Sequence, residues 1–104
     1  MSKLSPAEIY QAAFQAGADA VAGGVDGYPC GFAWVTIHPS NCAFAKWIKA
    51  NGKGRSGYPG YKVRGIECHG WFGQNMYVQE SGVRAFAEVL RANGIKCSIE
   101  TRID

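Results

Sequence analysis

Between Ile9 and Ala18 the chain carries no charge, and two apolar stripes run through it at helical spacing. Ile9, Ala13, Ala16 and Ala20 form one, and Tyr10, Phe14, Gly17 and Val21 the other. Residues three and four apart share a helix face. The pattern therefore predicts a helix that is apolar over most of its circumference and must be buried. Ser5-Pro6-Ala7-Glu8 supplies its start: a capping serine, a proline at the first helical position and a glutamate three residues after the cap. Gly23-Gly24 ends it.

The pattern then changes to short aromatic and β-branched runs. Gly31 to Ile37 predicts a strand, bounded by Gly-Tyr-Pro-Cys before it and His-Pro-Ser after it. Ser40 is the expected cap of a helix through Ala50, closed by Asn51-Gly52 with glycine at the left-handed position. A glycine-rich loop follows, Asn51 to Gly60. Tyr61 to Glu67 predicts a second strand, Cys68-His69-Gly70 a hairpin turn, and Trp71 to Gln79 a third strand. A helix from Glu80 or Ser81 ends at Asn93-Gly94, with Val83, Phe86, Ala87 and Leu90 inward. Ile95 folds back on Leu90 in a Schellman closure. Ile95 to Arg102 predicts a fourth strand.

Ala43 to Gly52 and Ala85 to Gly94 resemble each other at a constant offset of 42 residues. The predicted order is helix, then β-α-β-β-α-β. The fold class is α+β: an N-terminal helix over residues 5–22 plus a ferredoxin-like βαββαβ core over 31–102, in one domain of 104 residues. Right-handed crossovers put both internal helices on one face of a four-stranded antiparallel sheet, whose first and third strands are central. The N-terminal helix is an addition to this core. Side chains alternate along strands. Ala33, Val35, Ile37, Phe72, Met76 and Val78 are therefore expected on the helix-packed side. Phe32, Trp34, Trp71 and Tyr77 are expected on the other, as a platform for stacking or as a surface covered by the N-terminal helix or a second copy.

Composition changes this picture in two ways. Hydrophobic residues make up 47% of the chain, which excludes a disordered protein. The formal net charge of +3 conceals an asymmetry: Gly27 to Ile66 holds six basic residues and no acidic one, whereas the rest holds five basic and eight acidic residues. Lys46, Lys49, Lys53, Arg55, Lys62 and Arg64 form that basic block, an expected anion site. The N-terminus reads as no signal peptide and the longest uncharged run as no membrane span, so the chain is expected in the cytoplasm without a membrane partner.

Most chemical motifs are excluded. Gly52-Lys53-Gly54-Arg55-Ser56-Gly57 has the spacing of a dinucleotide fingerprint, but it follows a helix instead of opening one, and it lacks the ending of a P-loop. Cys30, Cys42, Cys68 and Cys97 contain no C-x-x-C pair and read as free thiols. A metal set from His38, Cys42, Cys68 and His69 is outweighed by ordinary buried roles. No cofactor motif and no metal site is expected. Catalysis is the least supported class, since the carboxylates are scattered and no catalytic residue is assigned.

Cys30-Gly31-Phe32-Ala33-Trp34-Val35, Trp47-Ile48-Lys49-Ala50-Asn51-Gly52, Ala85 to Leu90 and Thr101-Arg102-Ile103-Asp104 together resemble a group of small uncharacterised proteins encoded by tailed bacteriophages. The resemblance implies the cytoplasm of an infected bacterium and one of three roles there, inhibiting a host protein, binding nucleic acid or sequestering a nucleotide signal used in host defence; it carries over no catalytic residue. The expected function is non-enzymatic binding of a phosphate-bearing nucleotide, either a cyclic nucleotide signal or single-stranded nucleic acid. Lys53, Arg55, Lys62 and Arg64 would neutralise phosphate, Trp34, Trp71, Tyr77 and Tyr58 would stack, and the Gly52–Gly60 loop would close over the ligand. The alternative is an inhibitor that binds a host protein through the apolar helix or the sheet face. A homodimer through either surface is the remaining partner.

Overall fold

The computed structural model describes residues 4–38, 42–54 and 60–103. Its elements, in chain order, are α1 (Pro6–Val21), β1 (Gly31–His38), α2 (Ala43–Ala50), β2 (Tyr61–Arg64), α3 (Gly65–His69), α4 (Met76–Ala92) and β3 (Lys96–Ile103). The capping box of α1 is formed as its sequence predicts: the Glu8 amide donates to Ser5 Oγ at 3.2 Å, and the Ser5 amide to Glu8 Oε1 at 2.9 Å. The Ser5 amide, bonded to the ionised form, holds the Glu8 carboxyl below its ordinary range. Ser40 lies outside the described residues; Cys42 caps α2, its Sγ accepting from the Ala45 amide at 3.5 Å.

The two related helix ends close identically. Lys53 N–H donates to the Ile48 carbonyl and Ile95 N–H to the Leu90 carbonyl, each at 3.0 Å, with Gly52 and Gly94 at positive φ. The likeness stops there, because the second copy is the latter half of a longer helix rather than a helix that follows a strand.

The sheet has three antiparallel strands in the order β2-β1-β3. A four-stranded ferredoxin-like sheet is not formed among the described residues. The segment expected as its third strand, Trp71 to Gln79, is a loop followed by the first turn of α4. The competing signal is helical: Asn75 Oδ1 accepts from the Tyr77 and Val78 amides, and Met76 stands seven residues before Val83 on the buried stripe. The second strand is shorter than expected for a similar reason. Its alternation stops at Gly65, and the predicted hairpin turn is the short helix α3.

The inner face follows the alternation rule. Ala33, Val35 and Ile37 are buried with Val63 against Phe44 and Ile48 of α2 and Val83, Phe86 and Leu90 of α4. α1 is part of this core rather than an addition to it. Ile9, Tyr10 and Ala13 join the same cluster, with Tyr10 packing on Trp47 and edge-on to Phe86. A Cβ on Gly17 would fall on the Cys68 carbonyl oxygen, so α1 passes α3 at backbone contact. The Cα radius of gyration, 12.9 Å, is that expected of a compact chain of this length.

With all the described helices gathered on one side, α1 leaves the opposite sheet face open. Residues paired across antiparallel strands share a face. Trp34 pairs with Arg64 and Glu100, Thr36 with Lys62 and Ser98, and Phe32 with Arg102. These side chains make up the open face, on which Phe32, Arg64 and Arg102 are exposed, Trp34 is half-buried and Thr36 is buried.

Candidate functional site

A groove of about 720 Å³ crosses this open face at the start of β1. Phe32 and Trp34 form part of its floor, Lys62, Arg64 and Arg102 contribute its charge, and Trp71 and Phe72 come from the loop before α4. Among the described residues its lining holds three cations and no carboxylate, although Arg64 is paired at 3.1 Å with Glu67, which lies outside the lining. Phe72 is 89% exposed and Phe32 53% exposed, whereas Trp34 and Trp71 are half-buried. The rings thus present partly free faces to a groove of the size that small ligands occupy.

The loop that carries Trp71 and Phe72 has no regular secondary structure, yet it is tied down at nearly every residue. His69 Nδ1 accepts from the Trp71 amide at 3.0 Å. Gln79 donates to the Gly73 carbonyl at 3.1 Å and to the Gly31 carbonyl of β1 at 2.9 Å. Asp26 Oδ1 accepts from the Gln74 amide at 2.7 Å and from the Gly27 amide at 2.9 Å. These amides favour the carboxylate and hold its pKa below the ordinary value. Gly31 N–H reaches the Gln74 carbonyl and Met76 N–H the Pro29 carbonyl, so the loop is sewn to the segment entering β1.

Trp34 is oriented from two sides. Its indole Nε1 donates to Glu100 Oε2 at 2.8 Å, while the Lys62 ammonium stands 5.2 Å from the ring centroid. The Thr36 hydroxyl donates to the same Glu100 oxygen at 2.6 Å. The Thr36 hydroxyl first, then the indole and the Lys62 charge, keep Glu100 ionised and lower its pKa. Beneath the groove His69 is buried and neutral, its pKa pushed down to about 4 by desolvation. With Nδ1 accepting, the proton lies on Nε2, which has no hydrogen-bond partner among the described residues.

Of the residues expected from sequence, Trp34, Trp71, Lys62 and Arg64 come together here. Arg55 and Tyr58 lie outside the described residues, as does most of the loop expected to close over a ligand. Lys53 is on the helix side, 5.7 Å from the Tyr10 ring centroid and 4.0 Å from Glu67. Lys49 covers Tyr61. The basic block therefore runs from α2 round to the open face, with Lys53 and Arg64 meeting at Glu67. Tyr77 is 62% exposed on the first turn of α4 and does not line the groove. Phe72, expected on the helix-packed side, lines the groove instead. Arg102 was missed because it lies far outside the basic block, and only the β1–β3 register places it beside Phe32.

Cys68 is buried and donates to the Val63 carbonyl, and burial raises its pKa well above the ordinary thiol value. Cys97 donates to the Ala87 carbonyl. No cluster of three metal-ligating side chains occurs among the described residues, and none of their helices is long and apolar enough to cross a membrane. Comparison with family models, curated proteins and solved structures finds no match to this chain.

Proposed function

We propose that the protein binds a phosphate-bearing nucleotide, free or within single-stranded nucleic acid, in the groove on the open sheet face. The observation that supports this reading is the lining: among the described residues it has four aromatic rings beside Lys62, Arg102 and the Glu67-paired Arg64. Rings with free faces stack on any base, and Lys and Arg at the rim neutralise phosphate. The anchored loop adds to this, since a wall already ordered costs little further entropy on binding. The setting of an infected bacterium, with a nucleotide signal sequestered or a single strand coated, rests on the resemblance to phage proteins.

Titration of the intrinsic tryptophan fluorescence tests the reading. Short single-stranded oligonucleotides, mononucleotides and cyclic dinucleotides are each added at low salt. Quenching that saturates is expected for at least one class, and Trp71→Ala is expected to weaken that binding by about tenfold or more. Absence of saturable quenching by all three would exclude the proposal. The alternative, a host-protein inhibitor, loses one of its two surfaces, because the apolar stripes of α1 are consumed in the core.

A further inference from the structure

The outer edge of β3 is long, regular and unpaired among the described residues. Native edge strands are ordinarily protected by proline, a bulge, brevity, charged side chains or a covering element; of these β3 has only its charges, Lys96, Glu100 and Arg102. β3 has eight residues, paired continuously with β1 and without proline or glycine. The Arg102 carbonyl lies against Gly31 of β1. Even-numbered residues of β3 therefore turn their peptide groups inward, and odd-numbered ones turn theirs outward. Arg91 agrees with this: its guanidinium reaches the Cys97 carbonyl at 3.0 Å. That contact occupies the outward carbonyl at the start of the strand. Ile99, Thr101 and Ile103 keep outward peptide groups, and Ile103 is 67% exposed although it lies on the inner face.

We propose that a second copy of this chain pairs with that edge, antiparallel, about a two-fold axis through Thr101. In this register Thr101 faces Thr101 of the second copy, Ile99 faces its Ile103, and Glu100 faces its Arg102. Ile99 with Ile103 is apolar with apolar on the inner face, Glu100 with Arg102 is acid with base on the open face, and the central threonines face each other. Among the described residues both hydrogen bonds to Glu100 fall on Oε2, leaving Oε1 to accept the guanidinium. The neighbouring two-fold register, through Ile99, is excluded by like charge, since it sets Lys96 against Arg102. It also requires the Cys97 carbonyl that Arg91 holds. The paired register makes one continuous six-stranded sheet with both grooves opening on the same face.

The test uses the full chain without nucleotide, so its result is independent of the ligand reading. Sedimentation equilibrium is expected to show a reversible dimer. Thr101→Pro removes an outward N–H that the monomer does not use, so it is expected to weaken dimerisation about tenfold or more at unchanged circular dichroism. Register is read by oxidative cross-linking in a Cys97→Ser background, which must itself stay uncross-linked. Thr101→Cys is expected to give an interchain disulfide, because facing residues of a hydrogen-bonded pair have Cα atoms about 5.5 Å apart. Ile99→Cys is expected not to, its copies lying roughly 14 Å apart. A monomer at every concentration overturns the proposal, as does a dimer indifferent to Thr101→Pro. Cross-linking through Ile99→Cys overturns the register.

Discussion

His69 holds an unusual position for an ionisable side chain. It is 3% exposed, its Nδ1 is committed to the Trp71 amide, and its Nε2–H has no partner among the described residues. A charge there would be desolvated without compensation, which is why the pKa falls from 6.5 to about 4. The consequence for stability has a definite sign. Below pH 6.5 the unfolded chain takes up a proton that the folded chain refuses, so stability declines as pH falls and levels off below about 4. The full loss is on the order of 3 kcal/mol. The lowered carboxyls of Glu8, Asp26 and Glu100 withdraw their contributions only at lower pH. Urea unfolding at pH 7, 6 and 5 is therefore expected to show a decline in the wild type. His69→Asn keeps an acceptor for Trp71 but cannot titrate, and its profile is expected to be nearly flat. Equal slopes would remove histidine burial as the cause.

At the scale of elements, the tightest constraint is the meeting of α1, α3 and α4. A Cβ on Gly17 would strike the Cys68 carbonyl, and one on Gly82 would press on the His69 ring and Val21. Glycine inside a helix ordinarily loses stability to alanine. Here the sign reverses, since the added methyl must push helices apart. Gly17→Ala is expected to cost about 1–3 kcal/mol, read as a lower urea midpoint. A stabilised Gly17→Ala would show that the helices do not approach so closely. Gly82 also explains what the sequence conceals. Capped helices with local signals are legible, as Ser5–Glu8 and the two Asn-Gly closures show. The start of α4 is not, because Trp71, Phe72, Tyr77 and Val78 favour strands while Gly82 interrupts the helical pattern after them. Asn75 and the spacing of Met76 to Val83 carry the true signal, and it is settled by packing against α1 and α3. The site divides in the same way. Trp34 is legible from strand alternation and Lys62 and Arg64 from the basic block, whereas Arg102 enters through a pairing seventy residues distant in the chain.

Across the whole molecule, the charge is sorted by face rather than by chain segment. Lys62, Arg64, Lys96 and Arg102 lie on the open sheet face, where Glu100 is the only described strand carboxylate. Lys46, Lys49 and Lys53 lie on the helix side, two of them over aromatic rings or beside Glu67. The mild net charge thus understates the field that a ligand meets at the groove, and electrostatic contribution to binding has a signature that stacking lacks. Each phosphate neutralised on a single strand releases counterions and steepens the dependence of log K on log salt by about 0.7. Three groove cations therefore set an upper limit near −2 on the slope for a short single-stranded oligonucleotide, because Arg64 already pairs with Glu67 and Arg102 faces a carboxylate in the proposed dimer. Arg64→Gln is expected to reduce that slope by up to about 0.7, phosphate taking the place of Glu67 on the guanidinium. Trp71→Ala should lower affinity at every salt concentration and leave the slope alone, because a base stacked on a ring displaces no counterion. Lys46→Gln, on the far side of the sheet, should change neither quantity. A slope that fell with Lys46→Gln and not with Arg64→Gln would put the phosphates on the helix side, and the groove would then have to be given up as their site.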